Sequence, residues 1–321
     1  MLRNIIDFYT SKDSSKTSLK ILVSAAVIYA SVSYYFRYLN KPEYEYIEGF
    51  TQKEPFVLKT DDGCFDEFYT LIYDELYNTN KRVQWELYRV LKMTQPSTSN
   101  STFLYVGSKT GFGVYQLIEA GYTAYGVENC PKMIEYSEQQ YPNAPIIEGD
   151  VQQPLLFERN SFTHIMCTDF MIYKMKNKEQ FFKNCLQWLK PNGYLILHLV
   201  ERSRFNAISP THDEKRDWER ITKDPKSQLL KTETVFEDYT FVQQYHIPVN
   251  VDETNCVLFR ETFTDRSNNN VRQNEHYLYM ENIRTILEMA KSFGYLFHSK
   301  TTMKKYNDEE HQYMYILEKP M

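Results

Sequence analysis

Between residues 102 and 200, short apolar runs alternate with stretches in which apolar residues recur every three or four positions. The apolar runs that open the segments beginning at residues 102 and 121, and those at 162–169 and 194–197, predict strands of a parallel sheet. The periodic stretches between them predict crossover helices. This order predicts an α/β fold with a doubly wound, mostly parallel sheet.

The turn after the first of these strands contains Gly107, Gly111 and Gly113, and the acid Glu128 closes the second strand. In an open parallel sheet, this order places backbone N–H groups and a carboxylate around one ligand. Glu128 follows the turn by about twenty residues, the separation at which a carboxylate binds the hydroxyls of a ribose. The spacing G-x-x-x-G-x-G differs from the G-x-G-x-x-G of dinucleotide sites, which disfavours a nicotinamide cofactor.

With the segments that follow it, the turn resembles the first motif of the class I S-adenosylmethionine-dependent methyltransferases. Three later motifs of that family follow in order: IIEGDV at 146–151, FTHIMCTD at 162–169 and LKPNGYLIL at 189–197. Two positions depart from the pattern, because Tyr105 stands where the family has an acid and Lys109 stands where it has a glycine. The resemblance implies a seven-stranded Rossmann-like sheet, S-adenosyl-L-methionine as cofactor, and methyl transfer to a small-molecule acceptor.

The resemblance also assigns roles to individual residues. Nine are expected to bind the cofactor: Tyr73, Gly107, Ser108, Gly111, Glu128 (ribose), Asp150 (adenine), Val151, Cys167 and Thr168. Five are candidate substrate contacts: Asp169, Tyr173, Glu201, Arg272 and His276. Arg272 and His276 are four apart in a predicted strand and hence share one face, although a solvated or cross-strand pair would have the same spacing. Displacement at an activated methyl carbon needs no dedicated catalytic group, so the catalytic residue stays unknown.

Further elements flank the predicted sheet. Helical periodicity from 64 to 92 predicts a helix that covers the cofactor, on which Tyr69 or Tyr73 either closes the site or simply packs. Residues 218–230 suggest a short helix and a turn. Alternation at 234–246, 255–264 and 271–280 predicts an inserted three-stranded antiparallel sheet at about 232–280. A helix at 281–293 and a last strand at 311–318 follow, and His198 is expected to be buried and hydrogen-bonded rather than a base.

The first forty residues differ from the rest of the chain. Residues 21–36 carry no charge and lie between Lys20 and Arg37, which predicts a single membrane helix over about 19–39. An amphipathic helix on a surface is the alternative. We expect a linker at 41–62, a methyltransferase domain at 63–321, and a catalytic domain that faces the cytosol, where the cofactor is made.

Composition limits the partners. The net charge of −5 argues against a nucleic-acid partner, because phosphate binding needs clustered Lys and Arg. The 5 cysteines form no C-x-x-C pair, so neither a disulfide framework nor a metal site is predicted. The sequence therefore predicts a membrane-tethered methyltransferase for a small or lipid-like acceptor. The departures at Tyr105 and Lys109 leave one alternative open, a membrane-anchored scaffold that keeps the fold without catalysis.

Overall fold

The computed structural model describes Ser24, Tyr29 and residues 52–204, 217–224, 227–248, 255–304 and 310–321. The chain divides into two compact units, Met1–Phe50 and Thr51–Met321. In the first unit Ser24 and Tyr29 are helical, and the rest of the predicted membrane segment lies outside the described residues. Within the described ranges, no helix combines the length and the apolar character that crossing a bilayer requires.

A seven-stranded sheet forms the centre of the second unit, with the strand order β12-β13-β6-β5-β2-β3-β4. Its strands are β2 (Thr102–Val106), β3 (Thr123–Glu128), β4 (Ile146–Glu148), β5 (Phe162–Cys167), β6 (Leu189–Val200), β12 (Leu296–Thr302) and β13 (Gln312–Glu318). Strands β2 to β6 pair in parallel, whereas β13 is antiparallel to both of its neighbours. Because β3 and β5 lie on opposite sides of β2, the carboxyl end of β2 is the switch point at which ligands bind in such sheets.

Seven helices are found in the described part of the second unit. They are α1 (Glu67–Leu76), α2 (Thr79–Thr94), α3 (Phe112–Glu119), α4 (Pro131–Gln140), α5 (Met171–Lys174), α6 (Lys178–Trp188) and α7 (Ile283–Ser292). The single helix predicted over 64–92 is interrupted at Asn78, whose φ of 44° belongs to the left-handed region. The break separates α1 from α2: α1 contacts α4, whereas α2 contacts α3.

A second sheet has six strands in the order β1-β11-β10-β9-β8-β7. Its strands are β1 (Phe56–Thr60), β7 (Asp217–Asp224), β8 (Ser227–Val235), β9 (Tyr239–Pro248), β10 (Cys256–Asp265) and β11 (Val271–Tyr279). Strands β9 to β11 are the predicted antiparallel insertion. We call the whole six-stranded structure the inserted sheet.

Three local predictions differ from the structure. Residues 56–60, placed in the linker, form β1 and pair in parallel with β11. The helix suggested over 218–230 is instead the hairpin β7–β8, in which Trp218 pairs with Thr232. Strand β12 was not predicted, and it pairs with the predicted last strand. In each case the residues complete a sheet edge, so pairing with a distant strand outweighs local propensity.

Candidate active site

The turn between β2 and α3 has three residues in the left-handed region, with φ of 64° at Gly107, 51° at Lys109 and 81° at Gly111. A side chain at Gly111 would collide with Ser137 Oγ, so this glycine is needed both for its backbone and for space. Lys109 adopts the same backbone region without being a glycine, at a cost of about 1–2 kcal/mol.

Glu128 lies at the end of β3 and is 6% exposed. Its Oε2 accepts the backbone N–H of Lys109 at 2.8 Å, and its Oε1 accepts those of Asn129 at 3.0 Å and Cys130 at 3.1 Å. A carboxylate has about four acceptor sites, so one remains open for a ligand hydroxyl. Glu128 therefore braces the turn in addition to its predicted role at the ribose.

The other predicted cofactor contacts lie along the same sheet edge. Asp150 is exposed, and its Oδ1 accepts the N–H of Gln152 at 2.9 Å, which leaves Oδ2 open for an adenine amino group. Val151 is buried, and its carbonyl accepts from Asn184 Nδ2 at 2.9 Å. Ser108 is buried in the turn itself. These positions stay predictions, but they share one edge.

Cys167 and Thr168 end β5 beside the turn, and both are buried. Burial raises the pKa of the Cys167 thiol well above its ordinary value, so the thiol stays protonated. Thr168 Oγ1 donates to Glu86 Oε2 at 2.9 Å and lies 2.9 Å from the hydroxyl of Tyr105. The side chain of Thr168 thus faces into a polar cluster beneath the sheet edge, and only its backbone remains for a ligand.

Asp169, the residue after Thr168, is shared by two cations. Its Oδ1 pairs with the Arg82 guanidinium from α2, and its Oδ2 pairs with Lys109 Nζ from the turn. The hydroxyl of Tyr73 donates to the same Oδ2 at 3.1 Å. Burial opposes ionisation, but the charges of Arg82 and Lys109 outweigh it and hold the pKa of Asp169 far below its usual range. Asp169 is therefore a permanent anion and not a base.

Beyond Asp169 lies a cavity of about 90 Å³, enclosed by α1, the edge of the seven-stranded sheet and the inserted sheet. Its aromatic wall consists of Phe65, Tyr69, Tyr73, Tyr77, Phe170, Tyr245, Phe259 and His276. Its charged or polar lining includes Lys109, Asp169, Lys174 and His198. We call this space the aromatic cavity. One water needs about 10–15 Å³ by such a measure, so the cavity has room for a small organic molecule.

The structure brings two of the five predicted substrate contacts, Asp169 and His276, to the aromatic cavity. Tyr173 points into the core, where its hydroxyl accepts the N–H of Val200 at 2.9 Å. Glu201 accepts from the hydroxyl of Tyr313 at 2.9 Å and does not line the cavity.

Arg272 shares a buried face of β11 with His276, as predicted, yet it does not line the cavity either. Its Nη1 binds both carboxylate oxygens of Asp66, at 3.0 and 2.9 Å, and its Nη2 binds the carbonyl of Cys64 at 2.8 Å. Arg272 thus fixes the start of α1 on the inserted sheet. The alternative weighed for this residue, a structural pair, describes it better than substrate contact.

His198 is 2% exposed, and its Nε2 lies 2.9 Å from Gln312 Oε1. Burial lowers the pKa of His198 to about 4. Its Nδ1 is buried and makes no hydrogen bond within the described part of the chain. The prediction of a buried, hydrogen-bonded histidine is confirmed, and the structure adds that this residue lines the aromatic cavity.

Sequence reasoning missed Arg82, Glu86 and Lys174. Arg82 and Glu86 are buried and lie one turn apart on α2, on the face that also buries Val83 and Leu87. A charged pair within an apolar helical stripe is the signal that could have revealed them. Lys174 gives no comparable signal, since a single lysine in a short helix is usually solvated.

Similar proteins are known for the part of the chain that carries this site. Residues 104–197, from β2 to β6, match the family described as "Methyltransferase domain". This part of the chain is therefore similar to methyltransferase domains. A phosphoethanolamine N-methyltransferase of Plasmodium falciparum is 25% identical over 184 residues, which cover 56% of this chain and 64% of that relative's length. This chain therefore matches somewhat less than two thirds of that curated relative.

Solved structures show the same fold. The CcbJ methyltransferase of Streptomyces caelestis superposes with a TM-score of 0.59 at 11% identity, covering 81% of this chain and 100% of that one. An S-adenosylmethionine-dependent methyltransferase of Clostridium acetobutylicum superposes with a TM-score of 0.51 at 13% identity, covering 80% and 100%. The predicted fold class is confirmed, and the match over residues 104–197 agrees with the predicted family resemblance.

The described residues fit S-adenosylmethionine. Glu128 keeps one acceptor site for the ribose, and Asp150 keeps one carboxylate oxygen for the adenine. The left-handed backbone at Gly107 and Gly111 is packed by the side chains of Met171 and Ser137. Beside the turn, Lys109 forms an ion pair with Asp169, at a position where the family pattern has a glycine and no lysine.

Proposed function

We propose that this protein transfers the methyl group of S-adenosylmethionine to a small amine that also carries an anionic group. The observation that supports this most directly is the position of the aromatic cavity. Asp169 and Lys109 lie at the cofactor edge of the sheet and also line the cavity, so a molecule in the cavity would meet the methyl donor at these two residues.

The cofactor supplies a methyl group that its sulfonium has already activated, and the protein's task is to align the acceptor with it. Such alignment contributes about 7–11 kcal/mol to a reaction of this kind. The faces of Tyr73 and Phe259 and the permanent charge of Asp169 suit an ammonium or amine nitrogen, because aromatic faces and carboxylates both attract cations. The buried Nδ1 of His198 offers a neutral acceptor for an N–H group.

Lys174 suits the anionic end of the acceptor. Its Nζ lies 4.8 Å from the ring centroid of Phe65 in the cavity wall, and it has no carboxylate partner among the residues that the structure describes. An ammonium group without such a partner is available to a phosphate or carboxylate. The name of the Plasmodium relative, phosphoethanolamine N-methyltransferase, agrees with an acceptor that has an amine at one end and a phosphate at the other.

The test is an assay with methyl-labelled S-adenosylmethionine and either phosphoethanolamine or ethanolamine, with products identified by mass spectrometry. We expect transfer to phosphoethanolamine. In Lys174→Ala, the KM for phosphoethanolamine should rise tenfold or more while turnover of ethanolamine is unchanged. Lys176→Ala is the matched control, because Lys176 is exposed two residues away and does not line the cavity. Absence of transfer to any amine with the wild-type protein would reject the proposal.

The non-catalytic scaffold remains a second candidate, and one observation favours it. Lys109 Nζ reaches across the sheet edge to Asp169 and Tyr73, so the side chain occupies space beside the turn. Calorimetric titration separates the two functions. A scaffold would give no heat and no thermal shift with millimolar S-adenosylmethionine, whereas the enzyme would give both.

We also propose that residues 19–39 tether the protein to a membrane as a single span, with the catalytic domain in the cytosol. The support is the uncharged run 21–36 between Lys20 and Arg37. Expression of the full chain and of a chain without residues 1–40, followed by alkaline carbonate extraction, tests the tether. Release of the full chain by carbonate would contradict it, and protease protection of the intact chain in sealed vesicles would contradict the cytosolic orientation.

A further inference from the structure

Lys109 occupies an unusual position for a charged side chain. It is the central residue of the cofactor turn, with φ of 51°, and its backbone N–H is held at 2.8 Å by Glu128 Oε2. The carboxylate predicted to bind the ribose therefore also fixes the backbone from which the lysine side chain extends. The side chain of Lys109 therefore starts from backbone that the predicted ribose-binding residue holds in place.

The side chain is largely withdrawn from water, with 12% exposed, and it ends at Asp169, whose side chain is 16% exposed. Its Nζ also contacts the Tyr73 hydroxyl and lies 4.8 Å from the centroid of the Tyr73 ring. Asp169 does not depend on Lys109 alone, because the Arg82 guanidinium holds its other oxygen. Loss of the lysine would leave this aspartate paired.

The methionine end of S-adenosylmethionine carries one carboxylate and one ammonium group. We propose that Lys109 binds the cofactor's carboxylate, exchanging its partner Asp169 for it, while Asp169 receives the cofactor's ammonium group. The exchange replaces one ion pair by two and leaves no buried charge unpaired, which is the condition for burying charges without a large penalty. This inference rests on the proposed function, since it concerns the same cofactor site.

Two further observations support the exchange. Burial lowers the pKa of Lys109 to about 8, so the ammonium group is held against a desolvation cost that an additional anion would offset. The cluster formed by Arg82, Glu86, Lys109 and Asp169 contains two basic and two acidic groups, and the carboxylate and ammonium of the cofactor's methionine end add no net charge to it. If Lys109 only blocked the site, no incoming carboxylate would offset the desolvation of its ammonium group.

The experiment compares two ligands by calorimetry: S-adenosylmethionine, and decarboxylated S-adenosylmethionine, which keeps the ammonium group but lacks the carboxylate. The wild-type protein should bind the complete cofactor at least tenfold more tightly than the decarboxylated one. Lys109→Met keeps the side-chain length and removes the charge. It should bind the complete cofactor at least tenfold more weakly and the decarboxylated one within twofold of wild type, so that the preference disappears.

Two other variants make the result specific. Lys109→Arg should keep most of the preference, because it keeps the charge. Lys176→Ala removes an exposed lysine that does not line the aromatic cavity, and it should keep the preference fully. Because the preference is a ratio measured within one protein, a change in stability does not imitate its loss.

The outcomes separate the inference from the proposed function. If the wild-type protein binds neither ligand, the proposed function fails. If Lys109→Met binds S-adenosylmethionine as tightly as wild type or more tightly, or keeps its preference over the decarboxylated ligand, the carboxylate role of Lys109 is overturned while the methyltransferase function stands.

Discussion

The hydroxyl of Tyr105 donates a hydrogen bond to Glu86 Oε2 across 3.2 Å, linking the central strand β2 to helix α2. Tyr105 is the residue that stands in place of the family's motif acid, and Glu86 is a fully buried carboxylate within its reach. The carboxylate absent from β2 is thus present in the cluster, but it is supplied from a helix that precedes the sheet. Thr168 donates to the same oxygen from β5 and completes the link.

We expect Tyr105→Phe to lower the free energy of unfolding by about 1 kcal/mol, because it removes the hydroxyl that contacts both Glu86 and Thr168, while Thr168 still donates to Glu86. Glu86→Ala should cost about 2–3 kcal/mol, since it leaves the buried hydroxyls of Tyr105 and Thr168 without their carboxylate acceptor, while Arg82 keeps its pair with Asp169. Urea denaturation of both variants measures these values. Tyr88→Phe, at a site on α2 that is 58% exposed, is the control and should be neutral. Equal effects of Tyr105→Phe and Glu86→Ala would contradict the proposed cluster.

Glu128→Ala should weaken S-adenosylmethionine binding tenfold or more, because it removes both the ribose acceptor and the brace of the Lys109 backbone. Glu148 provides a matched control: it is the partner of Glu128 across β3 and β4, and it is exposed. Calorimetry of Glu148→Ala should give wild-type affinity. Unchanged affinity in Glu128→Ala would show that the acid is only an ordinary residue at a strand end.

Stability should fall in mild acid because of buried histidines. Burial lowers the pKa of His164 to about 4 from an ordinary value of 6.5, and its ring stacks on Phe103 at 4.4 Å. Between pH 6.5 and 4 the unfolded chain binds a proton that the folded protein does not, so the free energy of unfolding decreases as the pH falls through this range. His198, whose pKa is lowered in the same way, acts in the same direction. Each histidine contributes a slope of up to about 1.4 kcal/mol per pH unit.

His164→Gln should therefore flatten the pH dependence of stability between pH 6.5 and 4, as measured by urea denaturation at several pH values. Its absolute stability should also drop, since the hydrogen bonds to Thr163 and Thr94 change. His298→Gln, at a surface position, is the control and should keep the wild-type slope. An unchanged slope in His164→Gln would mean that this histidine is protonated when folded.

Glu261 joins α1 to the inserted sheet, because its carboxylate accepts from the hydroxyls of Tyr69 at 2.6 Å and of Tyr77. His276 Nε2 lies 3.4 Å from the same carboxylate. Although burial opposes it, hydrogen bonding and charge from His276 hold the pKa of Glu261 below its ordinary value. The buried anion therefore fixes two sides of the aromatic cavity.

Glu261→Gln should raise the KM for the acceptor more than it raises the Kd for S-adenosylmethionine, because it loosens the cavity wall and leaves the cofactor turn intact. Steady-state kinetics and calorimetry on the same preparation give both values. Glu233→Gln is the control on the inserted sheet, at an exposed position. Equal increases in KM and Kd would indicate general loosening of the fold instead.

Local sequence patterns determined the architecture of the seven-stranded sheet. Buried runs such as 102–106 and the positive-φ positions at Gly107, Gly111 and Asn192 depend on nearby residues, which is why strand, turn and acid were predictable in order. The helix ending before Gly294 was predictable for the same reason, since its φ of 100° suits glycine. The periodicity of apolar residues and the choice of turn-forming residues are properties of neighbouring positions, so a single sequence contains them in full.

Tertiary structure alone decided what surrounds the cofactor turn. Arg82 and Asp169 are 87 positions apart, and Tyr69 and Glu261 are 192 apart, so no local pattern pairs them. The same holds for β1, which joins β11 across most of the chain. Sequence identified Lys109 as a departure from a motif, but only the folded chain gave it a partner, because the partner of a buried charge is set by packing between elements distant in sequence.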